Sequence, residues 1–358
     1  MHKLSRKTIQ RNQGYKKIKM ATNLQEYSHK RLNMLTGEWV LVSPHRAKRP
    51  WQGQHEEVSK EKRPSYDENC YLCATNTRIN GEINPAYTDV FVFTNDFAAL
   101  QKESPSFEVE EGLFKAKSET GICKVICFSP DHSQSLADME VEDIQKVVHV
   151  WQREYLSLGQ NEEINYVQIF ENKGAVMGCS NPHPHGQIWS QSSLPNEVEK
   201  KDREQRNYFK NHNSSLLVDY LAQEIAAKER VIFENEDFLV LTPFWAIWPF
   251  EVMIAPKKAQ RDISEMKASE ANNFAEAIAV VTRAYDQLFQ TSFPYTSGIH
   301  QAPTNGDKNE YWHWHMSFYP PLLRSATVKK FMVGYELFGS PQRDITPEIA
   351  AQRLKEFV

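Results

Sequence analysis

The 358-residue chain has no uninterrupted apolar run long enough to span a membrane. Its most apolar stretch, residues 239–256, is broken by Pro243, Pro249 and Glu251 and reads instead as strand, turn, strand. No apolar h-region stands near the amino terminus, so no secretory signal is read. Cysteine is scarce: there are five, an odd number with one close pair, which does not resemble an extracellular disulfide framework and points to a reducing cytoplasm. A dominant charge is missing too. The formal net charge is -4, with 25% charged and 40% hydrophobic residues, ordinary values for a globular protein with an ample core. That weak acidity argues against a nucleic-acid partner.

One segment departs from this balance. Lys3, Arg6, Lys7, Arg11, Lys16, Lys17 and Lys19 precede any acidic residue, the first being Glu26. A basic arm of this kind could be a presequence or a nucleic-acid tether, but an alternative translation start at Met20, or a disordered extension over residues 1–20, is the better reading.

The most informative stretch is His183-Pro184-His185-Gly186-Gln187. Its polar groups recur at a period of two, which on a strand turns all three side chains to one face. Upstream, residues 165–171 read as a strand leading into a loop, 172–181. There Gly174 and Gly178 let backbone N–H groups turn toward an anion. A histidine beside a phosphate cradle can attack phosphorus and form a phosphoramidate. Gln187, two positions on, exchanges no proton near neutral pH, so the leaving group must need no acid. A sugar 1-phosphate, with a second pKa of about 6, departs as the anion. Gln187 cannot activate water either, so a nucleotidyl-histidine should last until another phosphate captures it. That describes a transferase working by two displacements. Taken alone, the pentapeptide reads equally well as a metal-binding pair or as satisfied polar residues at a sheet edge.

The chain also carries a weak internal repeat. Residues 88–100 have a counterpart in 237–248, residues 124–130 in 251–256, and His183-Pro-His185 in His313-Trp-His315. Helical periodicity runs over 141–159 and 265–290, the first ending at Gly159 as a left-handed cap. Each half thus reads as strands, a helix, then an H-x-H strand, a duplicated module rather than a solenoid. The expected fold is α+β: two histidine-triad-like halves, 21–195 and 196–358, the first with the nucleophile. Residues 196–212 and a final helix opened by Thr346-Pro347 read as scaffold. Cys70 and Cys73 have the spacing of a zinc knuckle, which needs two more ligands from elsewhere, with a redox pair as the competing reading. Cys123 and Cys127 read as core.

The run 183–189, with 170–175 and 177–182 before it, resembles the active-site segment of the galactose-1-phosphate uridylyltransferase family. Residues 35–51, 93–100, 127–132, 318–327 and 330–336 extend the resemblance from about Tyr27 to the C-terminus. It implies a mainly antiparallel sheet curved as a half-barrel with flanking helices, in a homodimer. It further implies exchange of UDP-glucose and galactose 1-phosphate for UDP-galactose and glucose 1-phosphate, with His185 as nucleophile assisted by Gln187 and Ser180. Related nucleotidyltransferases that use ADP-sugars or dinucleoside polyphosphates are the alternative. By resemblance, one zinc per chain is held by Cys70, Cys73, His132 and His183. Tyr71, Ile79, Phe93, Asn95, Asp96 and Phe97 form the uridine pocket. Asn172, Gly178, Cys179, Ser180 and Gln187 hold the α-phosphate, with Arg46 and Arg49 as further cations. Lys330, Phe331, Val333, Tyr335, Glu336 and Gln342 match the hexose side, some of it reaching across the dimer. Many relatives carry a second metal on one glutamate and three histidines. Two of those positions match as His300 and His315, whereas the others fall on Lys201 and Ser317, so the second metal is expected to be absent or weak. A register change at His313, or a swing of Glu199 or Asp202, could alter that expectation.

Overall fold

The computed structural model describes residues 22–48 and 63–358. Arg49 and the basic segment 1–20 lie outside the described residues. In chain order, β1 (His29–Asn33) and β2 (Glu38–Val42) pair as a hairpin, followed by β3 (Phe91–Thr94), a second hairpin of β4 (Glu108–Glu111) and β5 (Phe114–Lys117), and β6 (Gly121–Cys127). Helix α1 (Val141–Gly159) leads to β7 (Tyr166–Lys173) and β8 (His185–Gln191), then to α2 (Asn196–His212) and α3 (Leu216–Ala227). Next come β9 (Val231–Glu234), β10 (Phe238–Leu241), β11 (Val252–Pro256), α4 (Ala268–Leu288), β12 (Tyr295–His300) and β13 (His315–Tyr319). The short α5 (Tyr335–Phe338), β14 (Gln342–Arg343) and α6 (Pro347–Lys355) close the chain.

Nine strands form one open antiparallel sheet in the order β3-β6-β8-β7-β12-β13-β11-β10-β9. With β9 set aside, that order is symmetric: β3, β6, β8 and β7 mirror β10, β11, β13 and β12, and the two sets meet at the β7–β12 pair. The repeat expected from the sequence is therefore present in the sheet. Each half sends a helix across the same face between its second and third strands in chain order. Helix α1 turns Ile144, Val147, Val148, Trp151, Tyr155 and Leu158 inward at helical spacing, and α4 does the same with Ala271, Phe274, Ala275, Ile278 and Tyr285. Both rows pack on Val167, Ile169, Ile188, Val240, Ile254 and Ile299 of the sheet. Each such large side chain stabilises the fold by about 1.5–3 kcal/mol when fully buried.

The other face is treated differently in the two halves, and this asymmetry positions the site. Over β10 and β11 it is covered by β1–β2 and α3 through Val40, Leu217, Leu221, Leu239, Leu241 and Met253. Over β6 it carries a loop whose Cys70, Leu72 and Cys73 pack on Val125 and Cys127. Cys123 and Cys127 are buried core residues, as expected. A buried ion cluster fastens the chain ends to the second half. Glu348 at the start of α6 receives both Arg31 nitrogens at 2.8 and 3.0 Å and Arg230 Nη1 at 2.7 Å, while Arg230 Nε reaches Glu224 at 2.9 Å.

Two local expectations need correction. Gly159 is the last residue of α1 rather than a left-handed cap; the cap is Gln160 in right-handed helical geometry. Glycine is required there because a Cβ would come within 2.8 Å of Thr304 Cγ2. The second long helix begins at Ala268, after a short 3-10 turn at Ile263–Glu265 capped by Asp262. Thr346 caps α6 as expected, its hydroxyl accepting from Ile349 N at 3.3 Å with Pro347 following.

Candidate active site

Strand β8 begins at His185. It pairs His185 with Cys127 and Gln187 with Val125 on one side, and Gln187 with Phe170 on the other. Only glycine fits between the two polar residues, because a Cβ on Gly186 would lie 2.8 Å from Phe128 Cζ and 3.0 Å from the Phe170 carbonyl oxygen. His185 and Gln187 emerge half-buried on the face opposite α1 and α4. His185 Nδ1 lies 2.7 Å from the His183 carbonyl oxygen. A carbonyl only accepts, so Nδ1 carries the proton and Nε2 keeps its lone pair. Burial also lowers the His185 pKa from its ordinary value, which keeps the ring neutral at pH 7. Gln187 Oε1 accepts from Trp189 Nε1 at 3.0 Å, which leaves the amide NH2 as its donor.

The expectation that His183 shares this face is overturned. His183 precedes the strand and is turned into a buried cluster with Cys70, Cys73 and His132. The four ligand atoms lie within 4.8 Å of one another, and Cys73 Sγ is 3.6 Å from Nδ1 of each histidine. A tetrahedral ion with metal–sulfur and metal–nitrogen bonds of about 2.3 and 2.0 Å has sulfur–nitrogen edges of about 3.5 Å, so this spacing fits one. His183 Nε2 donates to the Ser129 carbonyl at 2.9 Å, which frees Nδ1 as a ligand. Burial lowers the pKa of both imidazoles, His183 to about 4, so each offers a lone pair at neutral pH. Asn181 donates to Cys70 Sγ at 3.4 Å, and Asn84 pins the Cys73 carbonyl at 2.9 Å. Burial pushes the Cys73 thiol up to about 11, a cost that a cation offsets by binding the thiolate.

Beyond His185 opens a cavity of about 990 Å³, lined by Asn172, Cys179, Ser180, Arg63 and Lys329 among others. Gly174 and Gly178 both have positive φ, as the loop expectation required. Several loop amides point inward, however. Met177 N and Gly178 N donate to the Gly174 and Ala175 carbonyls at 2.9 and 3.0 Å, so they hold the loop's own turn rather than an anion. Cys179 Sγ contacts the Asn181 carbonyl at 3.0 Å, and Asn172 Oδ1 accepts from Thr296 Oγ1. Ser180 is exposed beside His185 in the cavity wall.

The remaining expected residues fall in two places. Phe93 lies in β3 and Asn95, Asp96 and Phe97 follow it, with Asn95 Oδ1 accepting from Phe97 N at 2.9 Å; Tyr71 packs against the same cluster as Phe93, and Ile79 and Phe97 are exposed. Arg46 is exposed and pairs with Asp344 at 2.9 Å. Lys330, Phe331, Val333, Tyr335, Glu336 and Gln342 do not line the cavity, although Ala326 and Lys329 just before them do. Lys330 pairs with Glu336, and Val333 and Tyr335 are exposed.

Sequence reasoning missed three groups here. Arg78 is buried 4.4 Å over the Phe93 ring and pairs with Asp96 at 3.3 Å, but nothing in its sequence neighbourhood marks it. Arg63 donates to the Pro182 carbonyl at 2.6 Å in the cavity wall. Glu171, buried in the same wall, is pushed up to about 7 by burial, near a Lys173–Asp286 pair at 3.0 Å.

A curved antiparallel sheet with a neutral histidine on an open strand, next to a Cys2His2 cluster and a polar cavity that Arg63 and Lys329 help line, defines a histidine-triad-like fold equipped for phosphorus chemistry. Comparison with known proteins narrows this. The model of the galactose-1-phosphate uridyl transferase N-terminal domain matches residues 17–195, and that of the C-terminal domain matches 199–358. The chain is 53% identical over 331 residues to the galactose-1-phosphate uridylyltransferase of Haemophilus influenzae, covering 92% of this chain and 94% of that one. It is 46% identical over 344 residues to the Saccharomyces cerevisiae protein of the same name, covering 92% and 94%. Among solved structures, a uridylyltransferase matches with a TM-score of 0.73 at 27% identity, over 91% of this chain and 97% of that one. An ADP-glucose phosphorylase from Arabidopsis thaliana matches at 0.74 with 23% identity, over 93% and 99%, which shows the fold alone. The chain belongs to the galactose-1-phosphate uridylyltransferase family.

Proposed function

We propose that the protein moves a uridylyl group between hexose 1-phosphates, converting UDP-glucose and galactose 1-phosphate to UDP-galactose and glucose 1-phosphate. The observation that carries this reading is the His185 ring held with Nδ1 protonated and Nε2 free, two residues before an amide that cannot move protons. In the first displacement, Nε2 attacks the α-phosphorus of UDP-glucose. A P–N bond forms, the P–O bond to the β-phosphate breaks, and its electron pair leaves on glucose 1-phosphate. The ring becomes cationic, and the His183 carbonyl facing Nδ1–H stabilises that charge. Galactose 1-phosphate then attacks phosphorus in the second displacement, and His185 is released as a neutral ring. The Gln187 amide and Ser180 hydroxyl serve as donors to the α-phosphate oxygens, with Asn172, Gly178 and Cys179 shaping the cradle and Arg46 and Arg49 as cations.

Cys70, Cys73, His132 and His183 are the residues that would hold one zinc ion; Cys2His2 is a donor set that ion favours. When bound, the ion serves as a crosslink that fixes His183, whose carbonyl in turn orients His185. Tyr71, Ile79, Phe93, Asn95, Asp96 and Phe97 would receive uridine, and Lys330, Phe331, Val333, Tyr335, Glu336 and Gln342 the hexose. The exposure of Val333 and Tyr335, away from this chain's own cavity lining, suits a site completed across a homodimer. The symmetric strand order supports reading 21–195 and 196–358 as two halves of one unit. Five free thiols suit a reducing cytoplasm, and among the described residues no helix is long and apolar enough to cross a membrane. The test is substrate choice: purified enzyme should exchange label between glucose 1-phosphate and UDP-glucose, whereas exchange into ADP-glucose at an equal or greater rate would favour the adenylyl alternative.

A further inference from the structure

The symmetric sheet places His315 and Ser317 on β13 where β8 carries His185 and Gln187, and this second pair is sealed by α2. Helix α2 lies over the strand end, because Gln205 Oε1 accepts from His313 N at 3.1 Å and Asp202 accepts from Trp312 Nε1 at 2.8 Å. Lys201 belongs to the same inward row, Val198, Lys201, Asp202 and Gln205, and is only 5% exposed. On β12 and β13 the His300 and His315 rings stack with centroids 4.8 Å apart, on residues directly paired across the two strands. His300 Nδ1 and both ring nitrogens of His315 are buried without a hydrogen-bond partner among the described residues. Each neutral ring keeps one lone pair and one N–H, so at most two of these three nitrogens call for a cation or a proton donor, and one on His315 needs an acceptor.

The residues around them fit a transition metal poorly. A buried divalent ion needs anionic ligands to balance its charge, and the carboxylates nearby already have partners. Asp202 holds Trp312, Tyr311 and Arg206 at 2.8, 2.6 and 2.8 Å. Glu251 accepts from the Ile247 and Trp248 amides at 2.6 and 3.1 Å, Glu197 pairs with Lys200, and Glu199 is exposed. A shift of His313 into the space is excluded as well, since its Nε2 donates to the Pro256 carbonyl at 2.8 Å and its Nδ1 accepts from Gln260 N at 3.2 Å. What remains is two imidazoles, the neutral hydroxyl of Ser317, and a lysine. The lysine bears on both rings: its charge lowers the pKa of His300 and His315 further than burial alone does.

We propose that this chain has replaced a metal ion by an amino group, with Lys201 serving as the internal cation that holds the His300–His315 pair and ties α2 to the sheet. Burial brings the Lys201 amine down to about 7; as an ammonium it has three protons to offer and no lone pair, so it supplies a donor for the imidazole lone pairs and repels a metal at once. The pair is then a structural feature of the second half, apart from His185 and independent of the Cys70–His183 cluster.

The test is metal content of the full-length protein purified without chelator, compared with H300A, K201E and K201E/S317H. H300A is expected to leave the metal content of wild type unchanged, because the histidine pair holds none. K201E/S317H, which supplies an anion and a third imidazole, is expected to gain about one equivalent of transition metal per chain, and a further H300A change should remove it. Wild-type protein that loses about one equivalent on H300A would overturn the proposal. So would a folded K201E/S317H protein that gains no metal. Because the readout is the difference made at His300, the outcome is separate from whether Cys70 and its partners hold zinc. Loss on C70S alone speaks to that cluster only.

Discussion

Glu348→Gln tests how firmly the chain ends are tied to the sheet. The wild-type carboxylate is 12% exposed and shared by two arginines that are 1% and 6% exposed, and the Phe244 ring lies 4.5 and 5.2 Å from their guanidinium carbons. Burial works against ionisation here, but the Arg31 hydrogen bonds and charge, with Arg230, win and hold the carboxyl at about 2 rather than 4.5. Two and a half pH units correspond to ~3 kcal/mol of stability at neutral pH. The amide keeps the shape and loses the charge, leaving Arg31 without a carboxylate and Arg230 with Glu224 and Glu229. Breaking a buried ion cluster in this way costs about 3–5 kcal/mol. At an unfolding entropy of about 2.1 cal/mol/K per residue, that is a drop in Tm of roughly 4–7 °C. The sign with pH is fixed by the depressed folded pKa. The contribution is fully present above about 4.5 and is lost as pH falls toward 2, so the gap between wild type and E348Q should be flat from pH 8 to 5 and narrow below that. Urea unfolding followed by circular dichroism across this range measures it. A variant within 1 kcal/mol of wild type at pH 7, or a gap that widens on acidification, would refute the reasoning.

Two further outcomes follow from the site. C70S should lower both metal content and Tm, since binding at a structural site is coupled to folding, and added chelator should then have little further effect; equal metal content in C70S and wild type would contradict the ligand assignment. G186A forces a methyl against Phe128 and the Phe170 carbonyl between His185 and Gln187, so a loss of about 1–3 kcal/mol in stability and a lower kcat are expected. Unchanged kcat in that variant would show that strand position does not control His185.

Much of this architecture was legible because its signals are periodic. The H-x-H echo at 313–315, the two helices and the strand-turn-strand at 239–256 rest on spacings of two or 3.6, and the sheet order reflects the repeat they form. Glutamine at 187 and the Cys70–Cys73 spacing were legible for another reason: the chemistry restricts which side chains can stand there. His183 misled because alternation applies only within a strand, and Pro184 holds it just outside. The short pairs β4–β5 and β14, and the helix α3, had no sufficient pattern of their own. Arg78, Arg63 and Glu171 were illegible as site neighbours because their meaning comes from contacts across long sequence distances. The covering of the second half by α2, which turns an open histidine pair into a sealed one, is likewise a property of packing rather than of any motif.

The central claim, that His185 Nε2 carries the uridylyl group, is tested most directly by mass spectrometry of the protein after brief incubation with UDP-glucose and acid-free quenching, since phosphoramidates are labile in acid. The account predicts one uridylyl mass on the peptide containing His185, its release as UDP-galactose on adding galactose 1-phosphate, and its absence in a folded H185G protein. A wild-type enzyme that turns over without forming that adduct, or an H185G protein that still forms it, would contradict the account.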